Sequence, residues 1–302
     1  MRCRYLTKLI SAKDSFRNIK TDDLFRVVTP EERVKLQNTL LEMYKEVAAV
    51  CQKYEITPFL VGGSALGAVR HQGFIPWDDD LDMGMLRSDY EKFKKVFRTE
   101  LSDKYILNAP NYSRNPKARF PKIIKKRTCL REIVDVKDDR LNGLFLDIFI
   151  IENVPKGKLH RLMKGLLCNA LEFISGQVFL YENLTPEAAE FYIRAGNRLF
   201  QMRRLFGKLF SFRSASSWFC AVDKAARYQK KTGYLVIPTG RKHYFGEQLK
   251  GSVNPAVYVE FCKEQVPIFH NYDSYLHNLY GDYMKIPDEK DREKHYIVEL
   301  KI

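Results

Sequence analysis

Four aspartates fall within five positions of Phe74-Ile-Pro-Trp-Asp-Asp-Asp-Leu-Asp-Met-Gly-Met85, and apolar residues flank them on both sides. A solvated acidic turn would sit among Lys, Ser or Gly rather than beside Trp77, Leu81 and Met83. The fold must therefore hold several carboxylates at the edge of its core. Read as a strand, period-two alternation puts Asp78, Asp80 and Asp82 on one face and Asp79, Leu81 and Met83 on the other. Carboxylates crowded on one face must protonate or find a cation. In a chain of net charge +14, a divalent metal, Mg2+ or Mn2+, is the expected answer.

The rest of the composition narrows the class. Of 302 residues, 45% are apolar, with 20 Phe and 17 Tyr, which supplies a packed core and excludes a disordered chain. The positive charge points to a polyanionic neighbourhood: nucleic acid, an anionic membrane face or phosphorylated substrates. Cys3, Cys51, Cys129, Cys168, Cys220 and Cys262 are scattered without pairing, which predicts reduced thiols. The N-terminal MRCRYLTKLISAK has no apolar h-region. No stretch reaches the ~18–20 apolar residues of a membrane span; Leu166 to Leu180 is interrupted by Asn169, Glu172 and Gln177. The expected location is cytoplasmic, or peripheral on the cytoplasmic membrane face.

The pattern predicts an α/β (α+β) chain in three parts. Residues 1–28 form a basic appendage, 29–155 a catalytic core, and 156–302 a mostly helical region completing the site and binding acceptor or membrane. Thr29-Pro30-Glu31-Glu32 combines an N-cap, Pro at N1 and a capping-box Glu; Val34, Leu40, Leu41, Tyr44, Val47, Ala48 and Cys51 form the inward stripe of the helix it starts. Strands are expected at Ile56–Val61, Tyr105–Ala109, Arg119–Lys125, Thr128–Val134, Leu144–Ile151 and Tyr234–Ile237. Helices are expected after Gly63, after a cap at Ser88-Asp89-Tyr90-Glu91, and over Tyr272–Tyr280.

Two further elements join the aspartates. Gly62-Gly63-Ser64 lies where a strand opens into a helix, a place where backbone N–H groups approach a phosphate; Gly-Gly turns are also common without one. Asp147 is the lone carboxylate of Leu144-Phe-Leu-Asp-Ile-Phe-Ile150. Burying it unpaired would cost several kcal/mol, so it needs a cation, a core Arg or a helix N-terminus. With Asp80 and Asp82 it would form a three-carboxylate cradle suited to metal-assisted phosphoryl chemistry.

The order Gly-Gly-Ser, Asp-x-Asp and a later strand Asp resembles the nucleotidyltransferase fold of the DNA polymerase beta superfamily. The segment FLVGGSALGAVRHQGFIPWDDDLDMGMLRSDY, Phe59 to Tyr90, is closer still to the LicD family, whose pattern of a Gly-Gly turn, LGAxRH and GFIPWDDDxD it matches. Leu279-Tyr-Gly-Asp-Tyr-Met284 with Pro287 resembles that family's closing stretch, and His295 follows. Ser64-Ala65 stands where many relatives have Thr-Leu. The resemblance spans about residues 30 to 295 and is weakest from 156 to 270.

It implies a mixed sheet with flanking helices and transfer of a phospho-alcohol, foremost phosphocholine, from CDP-choline or another CDP-alcohol. The acceptor would be a hydroxyl of a cell-surface glycan (teichoic acid, lipopolysaccharide or capsule) that can be lipid-linked, and CMP would leave. Fukutin-like relatives use CDP-ribitol. Asp80 and Asp82 would hold magnesium, Asp78 beside them, with Asp79 pointing away. Asp147 would serve as a ligand or as the base for the acceptor hydroxyl. Arg70 and Arg87 of the matched motif, and Lys122 from its place on a nearby strand rather than from the motif, are candidates for the phosphates alongside Gly62, Gly63 and Ser64; His71 fits an acid or phosphate role and equally a structural cap of its turn. Trp77, Tyr280, Asp282, Tyr283 and His295 are candidates for a substrate pocket, although aromatics more often fill cores.

Between Glu190 and Asp223 there is no acid, while Arg194, Arg198, Arg203, Arg204, Lys208 and Arg213 interleave with Leu and Phe. One reading is an amphipathic helix on anionic lipid; the other is a core helix with a solvated basic face. Two rivals complete the functional field. One is a nucleotidyltransferase moving an NMP to RNA or a small molecule; the other is a non-catalytic glycan- or nucleic-acid-binding module. Three buried acids argue against the module, and nucleic acid is not the expected partner.

Overall fold

The computed structural model describes residues 26–132, 138–185, 188–190, 198–246, 248–250, 253–292 and 295–302. Nearly all of the expected 1–28 appendage lies outside the described residues, as does Arg194.

Helix α1 (Pro30–Lys53) opens as predicted. The Glu32 N–H donates to Thr29 Oγ1 at 3.2 Å, and the Thr29 N–H donates back to Glu32 Oε2 at 3.0 Å. Such a cap contributes about 1 kcal/mol. Leu36, Leu40, Met43, Val47 and Cys51 make the buried stripe. Val34, expected inward, is 57% exposed. Two positions before Leu36 is the far side of a helix.

The main sheet runs in the order β2 (Phe59–Leu60), β3 (Asp82–Leu86), β7 (Phe145–Asn153), β5 (Lys122–Lys125), β4 (Tyr105–Asn108). β8 (Tyr234–Val236) pairs with the end of β7, and β9 (Gln248–Lys250) pairs with β8. β3 and β7 run parallel, and their neighbours are antiparallel. β7 is covered on both faces, which is why its sequence is a near-continuous apolar run rather than an alternation.

Three local expectations change. The aspartate strand begins only at Asp82, so residues 78–81 approach it as irregular chain and strand alternation does not sort them. Helix α3 (Arg87–Glu100) follows β3 without a gap, with Leu86 at the N-cap and no side-chain cap. Ser88 is therefore already inside the helix. The Ile56–Val61 strand shortens to β2.

Helices α4 (Lys158–Asn183), α5 (Arg198–Phe210) and α6 (Ala215–Ala226) dominate the middle of the chain, as expected. The later part also carries a hairpin, β10 (Val257–Phe261) with β11 (Glu264–Ile268), not foreseen from the pattern. Its turn residues, Cys262 and Lys263, both take positive φ (51° and 70°) without the Asn or Gly that would have signalled a hairpin. A short helical turn, α7 (His243–Gly246), and helix α8 (Tyr272–Tyr280) flank that hairpin in the chain. The last strand, β12 (Tyr296–Lys301), lies between β1 (Arg26–Val27) and β6 (Cys129–Glu132).

One hydrophobic core joins Leu36 and Met43 of α1, Met83 and Met85 of β3, and Ile148 of β7 to Phe261, Phe269 and Leu276. The end of the chain is thus packed against the strands that carry the aspartates. The described cysteines, Cys51, Cys129, Cys168, Cys220 and Cys262, are free thiols. Among the described residues, no helix is long and apolar enough to cross a membrane.

Candidate active site

The parallel register of β3 and β7 pairs Asp82 with Asp147, and the antiparallel register of β5 and β7 pairs Lys122 with the same Asp147. Register partners share a sheet face, so acid, acid and base stand in a row one strand spacing apart, about 4.8 Å. Lys122 Nζ lies 3.2 Å from Asp147 Oδ1. Asp147 is 8% exposed. Burial pushes its carboxyl up to about 6; Lys122 opposes that rise, while Asp80 and Glu132 add to it.

Helix α2 (Gly62–His71) presents its first turn to the same acids. Gly62 has φ +55°, and a Cβ there would lie 3.1 Å from Asp82 Oδ2. A Cβ on Gly63 would lie 2.9 Å from Asp78 Oδ2. Both glycines therefore let carboxylates close on a helix N-terminus, where the backbone dipoles favour negative charge. Ser64, 3% exposed, uses its Oγ to accept the Asp82 N–H at 2.8 Å, which ties α2 to the start of β3. The Gly62 N–H donates to the Tyr275 hydroxyl at 3.1 Å. Tyr275 drew no attention in the sequence, because nothing local marks a tyrosine of α8 as reaching that turn.

The closing segment folds onto this turn. Arg70 Nη1 donates to the carbonyls of Tyr283 and Lys285 at 2.7 and 3.3 Å, and Arg70 Nε donates to His71 Nε2 at 3.0 Å. Burial, and then the Arg70 charge, lower the His71 pKa. Trp77 meets His71 edge-on, and Arg292 stacks over the Trp77 ring at 4.3 Å. Arg241 lies over Tyr280 at 5.4 Å. The Tyr283 hydroxyl donates to Asp273 Oδ1 at 2.6 Å, so Tyr283 is a buried strut, while Asp282 is exposed.

His295 Nδ1 hydrogen-bonds to Asp79 Oδ1. Ligand atoms of Asp79, Asp80 and His295 lie within 4.8 Å of one another. Asp79, expected to point away, is thus gathered with Asp80, because the chain is not yet a strand at either residue. His295, the second half of that cluster, comes from the segment that enters β12.

Arg87 is placed elsewhere. It sits five strand residues beyond Asp82, about 16 Å along β3. There Arg87 Nε donates to Glu152 Oε1 at 2.7 Å and Nη2 to Asp223 Oδ1 at 2.6 Å. Burial alone would lower the guanidinium's pKa, but Glu152 and Asp223 outweigh it and hold the charge. Asp223 is also bonded by Arg227 and by Asn111 Nδ2. A further buried acid, Glu172 of α4, pairs with His243 Nδ1 at 2.7 Å and Arg119 Nη1 at 3.2 Å.

The donor set fits a hard divalent ion. Asp80, Asp82 and Asp147 offer carboxylate oxygens, the choice of Mg2+ and Mn2+, while the group whose ligand atoms lie within 4.8 Å of one another joins Asp79 and Asp80 to the His295 imidazole. The buried Asp147 Oδ1 meets the Lys122 ammonium at 3.2 Å but outside good hydrogen-bond geometry, and Asp80 adds like charge beside it, a setting that a further cation would relieve. The space beside Asp82 is one that a single Cβ on Gly62 would crowd.

Comparison with known proteins covers the stretch that carries these residues. The family model described as LicD/FKTN/FKRP, nucleotidyltransferase domain, matches residues 55–161, which include Gly62, the aspartate run and Asp147. The chain is similar to the lipopolysaccharide cholinephosphotransferase LicD of Haemophilus influenzae, with 31% identity over 263 residues, 84% of this chain and 92% of that protein. It also resembles uncharacterized proteins of Rickettsia typhi (40% identity over 58 residues, 19% of each chain) and Rickettsia prowazekii (29% over 118 residues, 39% of this chain and 41% of that one).

Proposed function

The chain belongs to the LicD/FKTN/FKRP family, and from this premise we propose that it transfers phosphocholine from CDP-choline to a hydroxyl of a cell-surface glycan, releasing CMP. The acceptor class we favour is lipopolysaccharide, the one named in its Haemophilus influenzae relative. The single observation that carries the reading is the row Asp82, Asp147, Lys122 across three strands, with Asp80 beside it and the Gly62-Gly63 turn above.

In this reading the acceptor oxygen attacks the choline-bearing phosphorus, the bond from that phosphorus to the CMP oxygen breaks, and the hydroxyl proton leaves. Asp80 and Asp82, with Asp78 near, would hold Mg2+ or Mn2+. The ion supplies positive charge that neutralises the diphosphate and the departing CMP. Asp147 takes the acceptor proton: a carboxyl pushed up to about 6 is a competent base near neutral pH. Lys122 limits that rise and adds positive charge beside the transferring group. Arg70 and Ser64 act indirectly, by holding the closing segment and the Asp82 backbone in place.

The test is a screen of CDP-choline, CDP-ribitol, CDP-glycerol and CDP-ethanolamine for CMP release with Mg2+, in the presence and absence of lipopolysaccharide. Acceptor-dependent CMP release, highest with CDP-choline, is expected. Pyrophosphate release from an NTP, with no CMP from any CDP-alcohol, would instead establish nucleotidyl transfer.

A further inference from the structure

Eighteen large apolar side chains are exposed among the described residues. Ten of them lie in the first half of α4, in α5 and at Phe212 just beyond it. Isolated exposed apolar residues need no explanation, but a contiguous patch does. On α4 the exposed stripe runs through Leu159 (72%) and Leu166 (51%) at helical spacing towards Phe173. On α5 it runs through Leu205 (68%), Leu209 (68%) and Phe212 (78%). The core-helix reading of this stretch thus fails for that face, although the opposite face does pack on α4.

The two stripes form one surface. The Phe173 and Phe206 rings meet edge-on at 6.0 Å, and Arg203 Nε donates to Gln177 Oε1 at 2.8 Å. A Cβ on Gly207 would come within 2.2 Å of the Gln177 carbonyl, so the helices are in backbone contact there.

Charge says what the surface meets. The exposed stretches carry no acid: there is none from Asn153 to Leu171 and none from Phe191 to Val222, while Glu172 of α4 is buried and Glu182 accepts the Ala215 N–H. The same segments carry exposed Lys156, Lys158, Arg204, Lys208 and Arg213. A face bound to another protein has no reason to exclude every carboxylate, whereas a cationic rim around an apolar stripe matches a layer of anionic headgroups over acyl chains. We propose that this face seats the protein on an anionic lipid bilayer, with α4 and α5 lying in the interface rather than crossing it. The inference does not depend on which group the active site transfers.

The test is flotation of the full chain with phosphatidylcholine vesicles prepared with and without phosphatidylglycerol. Flotation with the anionic vesicles alone, weakened by added salt, is expected. Near an anionic surface each basic side chain is worth about fivefold in partitioning. The charge-reversed pair Arg204→Glu/Lys208→Glu should therefore lose at least about tenfold in binding. Leu205→Glu/Leu209→Glu should lose as much by removing the apolar contact. All four positions are exposed, so circular dichroism and Tm should be unchanged in both variants. The proposal is overturned if the wild-type chain does not float with anionic vesicles, or if neither pair alters flotation. It is equally overturned if the chain ignores lipid and self-associates in a way that the leucine pair abolishes.

Discussion

Asp82 and Asp147 are register partners across the parallel ladder of β3 and β7, so two carboxylates far apart in sequence stand side by side on one sheet face. The Asp82 backbone is held by Ser64 from one side, and the Asp147 side chain by Lys122 from the other.

Asp82→Asn should lower CMP release by about 10²–10³-fold, the scale on which one group that stabilises transition-state charge contributes. The backbone N–H that reaches Ser64 is untouched, so Tm should change little. Asp147→Asn should lose turnover comparably yet keep cation binding, measured by Mn2+ titration. A fully active Asp82→Asn enzyme would remove the catalytic assignment.

The raised Asp147 pKa has a definite sign in stability. Between about 4 and 6 the unfolded chain has released this proton while the native state retains it. Metal-free protein should therefore lose stability as pH rises through that window, by at most about 3 kcal/mol. Urea titrations in EDTA at pH 4.5 and 6.5 would show it, and Asp147→Asn should flatten the difference.

Gly62→Ala should cost about 1–2 kcal/mol from its left-handed backbone alone. Its new Cβ would also press on Asp82. A lowered Tm together with weakened Mn2+ binding is expected. A variant that loses stability but binds Mn2+ unchanged would show that Gly62 serves only the turn.

Removing Arg87 leaves Glu152 and Asp223 buried without their shared cation, a loss of about 3–5 kcal/mol. Arg87→Ala should therefore unfold at markedly lower denaturant. At low temperature, where it stays folded, KM for the donor should match the wild type. A selective rise in KM without loss of stability would instead give Arg87 a substrate role.

His295→Ala and Asp79→Asn should each weaken Mn2+ binding by about 10–100-fold if the pair orients Asp80. Their effects should not add in the double variant, since each breaks the same contact. Additive losses would mean that the two residues act separately.

How much was legible beforehand follows from range. The capping box at Thr29, the helix opening at Gly62, the apolar strand around Asp147 and the helix over Tyr272–Tyr280 are each written in a few contiguous residues. Those signals came through with shifted edges. The hairpin at Cys262-Lys263 was hidden because its turn uses residues with no turn signature. Arg87 read as a phosphate ligand from its motif, yet the structure buries it against Glu152 and Asp223, partners that no local pattern connects to it.

The sequence by itself determined that several carboxylates must share a protected place, because aspartates among apolar residues cannot be left as unpaired buried ions. It could not assign the partners. Strand register, and the return of the chain's end to the aspartate loop, placed Asp147 and Lys122 beside Asp82 and His295 beside Asp79. Those pairings depend on packing between distant segments, and periodicity along a single segment carries no information about which neighbour it will meet.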